Sequence, residues 1–138
     1  MDCGVVGVYD REKNVAEHIF YGLMALQHRG QESAGIALTK GDGNVYLRKA
    51  MGLVSEALPL TELSMLTGRC GIGHVRYSTV GKLGLTDAQP FNLDSLALAY
   101  NGNLVNFLEL REKLRKNGVS FTSTWKLNCL VIFLLFER

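Results

Sequence analysis

A cysteine stands third in this chain of 138 residues, and glycine follows it at once: Met1-Asp2-Cys3-Gly4. A cysteine at a chain's N-terminus carries two catalytic groups on one residue. Its thiolate is a nucleophile, and its own α-amine, with a pKa of roughly 7.7–8.0, is a base beside it. That chemistry needs Met1 and Asp2 to come off, because until then the Cys3 nitrogen is an amide. A thiol attacking a carboxamide also needs an oxyanion hole and a grip on the substrate. Asn101-Gly102 offers a side-chain amide and an unobstructed main-chain N–H, the donors such a hole uses, although the same pair is a frequent turn dipeptide. Arg76 lies in a stretch otherwise poor in charge. It can hold a carboxylate through two parallel N–H bonds, or serve a structural ion pair. Gln27-His28-Arg29-Gly30-Gln31-Glu32 is a dense polar turn, where His and Arg also suit the end of a helix.

Several elements must position these groups. Residues 3–9 read as a first strand, closed by a polar turn at residues 10–13. Asn14 is expected to cap a helix with Glu17 closing a capping box, and Val15, Ile19, Leu23 and Leu26 carry that helix to about Gln27. Gly22 inside it points to close packing. Residues 35–39 and 44–48 flank Lys40-Gly41-Asp42-Gly43 and predict a hairpin. Residues 71–78 alternate as a strand, with Ile72, His74 and Arg76 on one face and Val75 and Tyr77 on the other. Residues 96–100 form another strand that ends at Asn101-Gly102. Asn106 is expected to cap a second helix with Glu109 as the reciprocal partner; Phe107, Leu110 and Leu114 form its apolar stripe, and Gly118 is its stop. Strands, helix, hairpin and helix in this order predict an α+β layered domain.

Composition narrows the function. A net charge of +2 is too small to argue for nucleic acid or a membrane surface. The apolar run at residues 129–136 falls far short of the roughly 20 residues of a membrane span. Cys3, Cys70 and Cys129 are widely spaced, with no pattern for a zinc site, and read as reduced thiols of a cytoplasmic protein. Cys70 and Cys129 are expected to be buried as small hydrophobes.

Five segments then join into one pattern: residues 3–9, 21–36, 73–79, 88–91 and 96–106. In order and spacing they resemble the glutaminase domain of the amidophosphoribosyltransferases, class II glutamine amidotransferases that open purine synthesis. Glucosamine-6-phosphate synthase shares the layout, but residues 27–31 and 101–106 look like the purine enzymes. The resemblance implies an N-terminal-nucleophile hydrolase fold, an αββα sandwich, here truncated. It implies that Cys3 is the nucleophile and that Asn101 and Gly102 form the oxyanion hole. Arg76 would bind the glutamine α-carboxylate, with Tyr77, Ser78 and Thr79 around the same pocket, and Arg29 would position the catalytic terminus. Glutamine is the implied substrate. Phosphoribosyl pyrophosphate, magnesium and the iron–sulfur cluster of some relatives would belong to a phosphoribosyltransferase domain absent here. No metal and no cofactor are expected in this chain, and a homo-oligomer is expected of the full-length enzyme.

Three features depart from the pattern. Met1-Asp2 precedes the cysteine, and Asp2 is a poor second residue for simple methionine trimming. The resemblance spans residues 3–124, after which Trp125-Lys126 stands where relatives carry an Asp-x-Glu motif whose aspartate binds the substrate α-ammonium. The domain of the relatives is also longer, so residues 1–138 are expected to be an incomplete amidotransferase domain. Taken literally, the sequence also fits a catalytically inactive fragment that keeps part of the fold.

Overall fold

The computed structural model describes residues 3–77, 84–102 and 104–119. Gly4–Tyr9 (β1), Ser33–Thr39 (β2), Tyr46–Met51 (β3) and Cys70–Arg76 (β4) form an antiparallel sheet in the order β1-β4-β2-β3. Phe91–Leu93 (β5) and Leu96–Leu98 (β6) form a separate hairpin. Helices are Ala16–Ala25 (α1), Val54–Ala57 (α2), Leu60–Leu63 (α3) and Phe107–Lys116 (α4), with tight turns at Gln27–Arg29 and Leu85–Asp87.

The apolar stripe of α1 packs on one face of the large sheet. Ile19, Phe20 and Leu23 are buried with Ile36, Leu38, Val54, Leu58 and Val75. Burial of each large side chain stabilises by about 1.5–3 kcal/mol. A Cβ at Gly73 would lie 2.5 Å from Ile19 Cγ2 and 2.8 Å from Leu23 Cδ1, so α1 approaches β4 where only glycine fits. The expectation of close packing at Gly22 holds too, since a Cβ there would lie 3.1 Å from Val6 Cγ1.

On the opposite face stand Ile72, His74 and Arg76. His74 is paired with Val5 and Gly35, and Arg76 with Ser33. The segment 87–91 crosses this face. Lys49 Nζ donates to the Ala88 carbonyl at 2.7 Å and lies 5.0 Å from the centre of the Phe91 ring. Helix, large sheet and a second β layer follow one another, in agreement with the α+β reading. Among the described residues no helix is long and apolar enough to cross a membrane.

Local details follow the sequence reading in part. Asn14 caps the start of α1 as expected, its Oδ1 accepting from the Ala16 N–H at 3.2 Å, while Val15, the residue before the assigned helix, is already helical in backbone and makes no side-chain cap bond. Asn14 Oδ1 accepts from the Gly68 N–H at 3.0 Å and Nδ2 donates to the Leu66 carbonyl at 3.0 Å, tying the entry of α1 to the segment before β4. The first helix stops at Ala25 because the chain tightens into the turn at Gln27–Arg29. The hairpin strands are Ser33–Thr39 and Tyr46–Met51, joined by a loop with Gly41 and Gly43 at φ +86° and +83°. Asn106 does precede α4, but its side chain makes no cap bond. Helices α2 and α3 span one turn each, too short to leave a helical period in the sequence. Cys70 is exposed rather than buried, because it opens β4 at the sheet's far end, on the face of Ile72 and His74 but beyond the layer that covers them. Cys129, Trp125 and Lys126 lie outside the described residues.

Candidate active site

Cys3 immediately precedes β1, and β1 pairs with β4 from Gly4 opposite Val75 onward. One further step of that register sets Cys3 opposite Arg76 at the end of β4, on the face that carries His74. The Cys3 carbonyl receives two side-chain donors from distant parts of the chain. Arg29 Nε donates at 3.2 Å from the turn after α1, and Asn101 Nδ2 donates at 2.9 Å from beyond β6. The Cys3 thiol lies 3.7 Å from the Tyr77 carbonyl oxygen and is directed at it. The structure therefore brings Cys3, Arg29, Tyr77 and Asn101 together from four segments, with Gly102 next to Asn101 at the surface. Ser78 and Thr79 lie outside the described residues.

Arg76 is set into the same end of the sheet. Its Nη1 donates to the Asp87 carbonyl, and its Nε faces Glu32 Oε2 at 3.5 Å. Of the two alternatives read from the sequence, the ion pair is present, and the register sets Arg76 one step on from the Gly4–Val75 pair, opposite Cys3.

The turn 27–32 is held as a unit. Gln27 bridges it, with Nε2 donating to the Gly30 carbonyl and Oε1 accepting from the Val54 N–H at 2.7 Å. Glu32 donates its N–H to the Arg76 carbonyl at 3.0 Å. A Cβ on Gly30 would lie 2.6–2.7 Å from Arg76 main-chain atoms, so this turn is pressed against the strand end.

His74 is fully buried beneath the site, and neither ring nitrogen makes a hydrogen bond of normal geometry among the described residues, the Tyr100 backbone giving only a weak polar contact. Burial pushes its pKa from 6.5 down to about 4, the Arg76 charge adds to this, and the Tyr100 backbone opposes it. It is neutral at pH 7. Sequence reasoning placed Gln27 and Glu32 in the polar turn and Gln89 in the segment 88–91 without giving them a role, and it missed Asp87. Gln89 Oε1 accepts from the Tyr100 N–H at 2.8 Å and so sets the approach to Asn101. The one available signal was polarity at places where the neighbours are buried: Asp87 and Gln89 flank buried Ala88.

Among the described residues no cluster of His, Cys, Asp or Glu could hold a metal ion. A cavity of about 190 Å³ lies at the other end of the sheet, lined by Tyr9, Lys40, Arg69 and Cys70 among others, and includes none of these site residues.

A cysteine at the start of an edge strand, over a sheet with helix on one side and strands on the other, fits the N-terminal-nucleophile fold. The family model of the glutamine amidotransferase domain matches residues 59–137, and the chain belongs to that family. Amidophosphoribosyltransferase from Methanocaldococcus jannaschii is 49% identical over 127 residues, covering 88% of this chain and 27% of that protein. The enzyme of the same name from Methanothermobacter thermautotrophicus is 45% identical over 128 residues, again 88% and 27%. Glutamine phosphoribosylpyrophosphate amidotransferase from B. subtilis, solved with ADP and GMP, superposes with a TM-score of 0.83 at 37% identity, over 97% of this chain and 29% of that one. The chain thus spans about a quarter of the length of the curated relatives it matches.

Proposed function

We propose that this chain is the glutamine-hydrolysing part of an amidophosphoribosyltransferase. One observation carries the reading: the main-chain carbonyl of Cys3 is gripped by both Arg29 and Asn101, which fixes the Cys3 backbone at the end of the sheet where β4 ends in Arg76. With Met1 and Asp2 removed, the Cys3 α-amine takes the thiol proton. The thiolate attacks the δ-carbon of glutamine, and the carbonyl oxygen becomes an oxyanion facing the second hydrogen of the Asn101 amide and the Gly102 N–H. The C–N bond then breaks, and the α-ammonium returns its proton to the leaving ammonia. Water, deprotonated by the same amine, attacks the thioester, the C–S bond breaks, and glutamate leaves. Arg76 holds the α-carboxylate, with Tyr77 next to it in the chain.

In the whole protein, ammonia passes to phosphoribosyl pyrophosphate on a phosphoribosyltransferase domain, giving phosphoribosylamine in a cytoplasmic homo-oligomer. Magnesium and any iron–sulfur cluster belong with that domain. The test is release of glutamate from glutamine by the chain cleaved to begin at Cys3. The proposal expects turnover there, and none from Cys3→Ala or from the chain that keeps Met1 and Asp2. Turnover by the Cys3→Ala chain overturns it.

A further inference from the structure

The buried side-chain polar atoms that lack a hydrogen-bond partner among the described residues all belong to Glu32, Ser33, His74 and Asp87. These four residues surround Arg76. Ser33 is its ladder partner on β2, His74 precedes it by two on the same face, the Asp87 carbonyl accepts from its Nη1, and Glu32 faces its Nε. Glu32 Oε2 has the Arg76 ion pair in place of a hydrogen bond, so the fold gathers its imperfectly satisfied buried polar atoms around one guanidinium.

Of the four, Glu32 reaches Arg76 with a formal charge. The Glu32 and Arg76 side chains are 22% and 13% exposed, enough burial for the pair to be only weakly screened. The Glu32 main chain is fixed as well. Its N–H bonds the Arg76 carbonyl at 3.0 Å, and its carbonyl accepts from the Gly52 N–H at 2.8 Å. Backbone and carboxylate together hold the arginine from one side, while the Asp87 carbonyl takes Nη1 from another. The guanidinium cannot then rotate about its long side chain without losing both partners. What remains is the outer end at Nη1 and Nη2, where two parallel N–H bonds can meet a carboxylate.

We propose that Glu32 is a positioning residue that locks the Arg76 guanidinium in the orientation that receives the α-carboxylate of glutamine. The proposal rests on the glutaminase reading above. Glu32 does not touch substrate, and its negative charge alone would repel a carboxylate. Its contribution is orientation, fixed before the substrate arrives.

The experiment measures binding of glutamine and of its α-carboxamide analogue to the parent chain, Glu32→Ala and Glu32→Gln by calorimetry. The parent should prefer glutamine. Glu32→Ala should bind glutamine about tenfold more weakly, a loss of one decade in affinity, and the α-carboxamide with nearly unchanged affinity. Glu32→Gln keeps an oxygen facing Nε and should recover most of the preference. A variant that is merely destabilised would weaken both ligands together, and that result overturns the assignment. Tighter glutamine binding by Glu32→Ala also overturns it, since Glu32 would then be a competitor for Arg76. If the parent binds neither ligand, the glutaminase reading itself fails and the role of Glu32 falls with it. Binding by the parent with unchanged preference in Glu32→Ala removes Glu32 alone.

Discussion

Gly30→Ala places one methyl group where the structure has no room. Its Cβ would lie 2.6 Å from the Arg76 carbonyl carbon and 2.7 Å from the Arg76 nitrogen and oxygen. These are main-chain atoms of a strand paired on both sides, with β1 and with β2, so β4 cannot yield. The turn 27–32 must lift instead. Overpacking of this kind costs about 1–3 kcal/mol, and here the upper half applies because no rotamer change relieves it. A loss of about 2 kcal/mol should lower the Tm by roughly 6 °C in a chain of this size. The chemical effect should be larger than the thermal one. Arg29 reaches the Cys3 carbonyl at 3.2 Å, already near the limit of a hydrogen bond, and a small lift of its turn breaks the contact. Urea unfolding measures the first effect. Alkylation of Cys3 by a chloroketone analogue of glutamine measures the second, and should slow about tenfold, the size expected when a reacting group is misplaced by a fraction of an ångström. If Gly30→Ala melts with the parent and alkylates at the parent rate, the turn does not position Cys3.

Further outcomes follow from the same geometry. Arg76→Lys should weaken glutamine binding by about tenfold or more in calorimetry, since an ammonium cannot form the parallel pair of bonds; an unchanged Kd would make Arg76 purely structural. His74 titrates at 6.5 when unfolded and at about 4 when folded, so between these values the unfolded chain binds a proton that the folded chain does not. Stability from this group is therefore full above pH 6.5 and falls as the pH drops towards 4, by up to about 3 kcal/mol. Urea midpoints of the parent and His74→Leu across pH 4–7 check this, and parallel profiles would refute it. On the expectation that residue 126 stands where relatives carry the ammonium-binding aspartate, Lys126→Asp should tighten glutamine binding at least severalfold; weaker or equal binding would exclude residue 126 from the site.

The parts of the fold legible in the sequence were those set by local period. Ile19 and Leu23 marked the buried stripe of α1, and the alternation through β4 put Ile72, His74 and Arg76 on one face. Gly118 marked the end of α4, where its φ of +87° suits glycine. Element ends were less legible because capping groups also take tertiary partners. Asn14 is a good helix cap by residue type and does bond the Ala16 N–H, yet the same side chain also serves Gly68 and Leu66, more than fifty residues away, which no local pattern shows. Cys70 looked like a core residue by type, and its burial depended on how far the second layer extends. In the site, Cys3, Arg29 and Asn101 were nameable from their motifs, and they meet at one carbonyl oxygen. The Glu32–Arg76 pair was not, since it joins residues 44 apart and either alone reads as an ordinary surface charge. Gln89 and Asp87 were hidden for the same reason: a polar side chain shows its partner only when the strands are assembled.

The most direct measurement of the central claim is the site of covalent labelling by the chloroketone analogue of glutamine, read by peptide mass mapping on the chain cleaved to begin at Cys3. The chain supplies its own control, because Cys70 is an exposed thiol at the opposite end of the sheet. The account predicts one adduct, on Cys3, formed far faster than any on Cys70 and suppressed by excess glutamine. Equal labelling of Cys3 and Cys70, or labelling of Cys3 that glutamine does not slow, would contradict it.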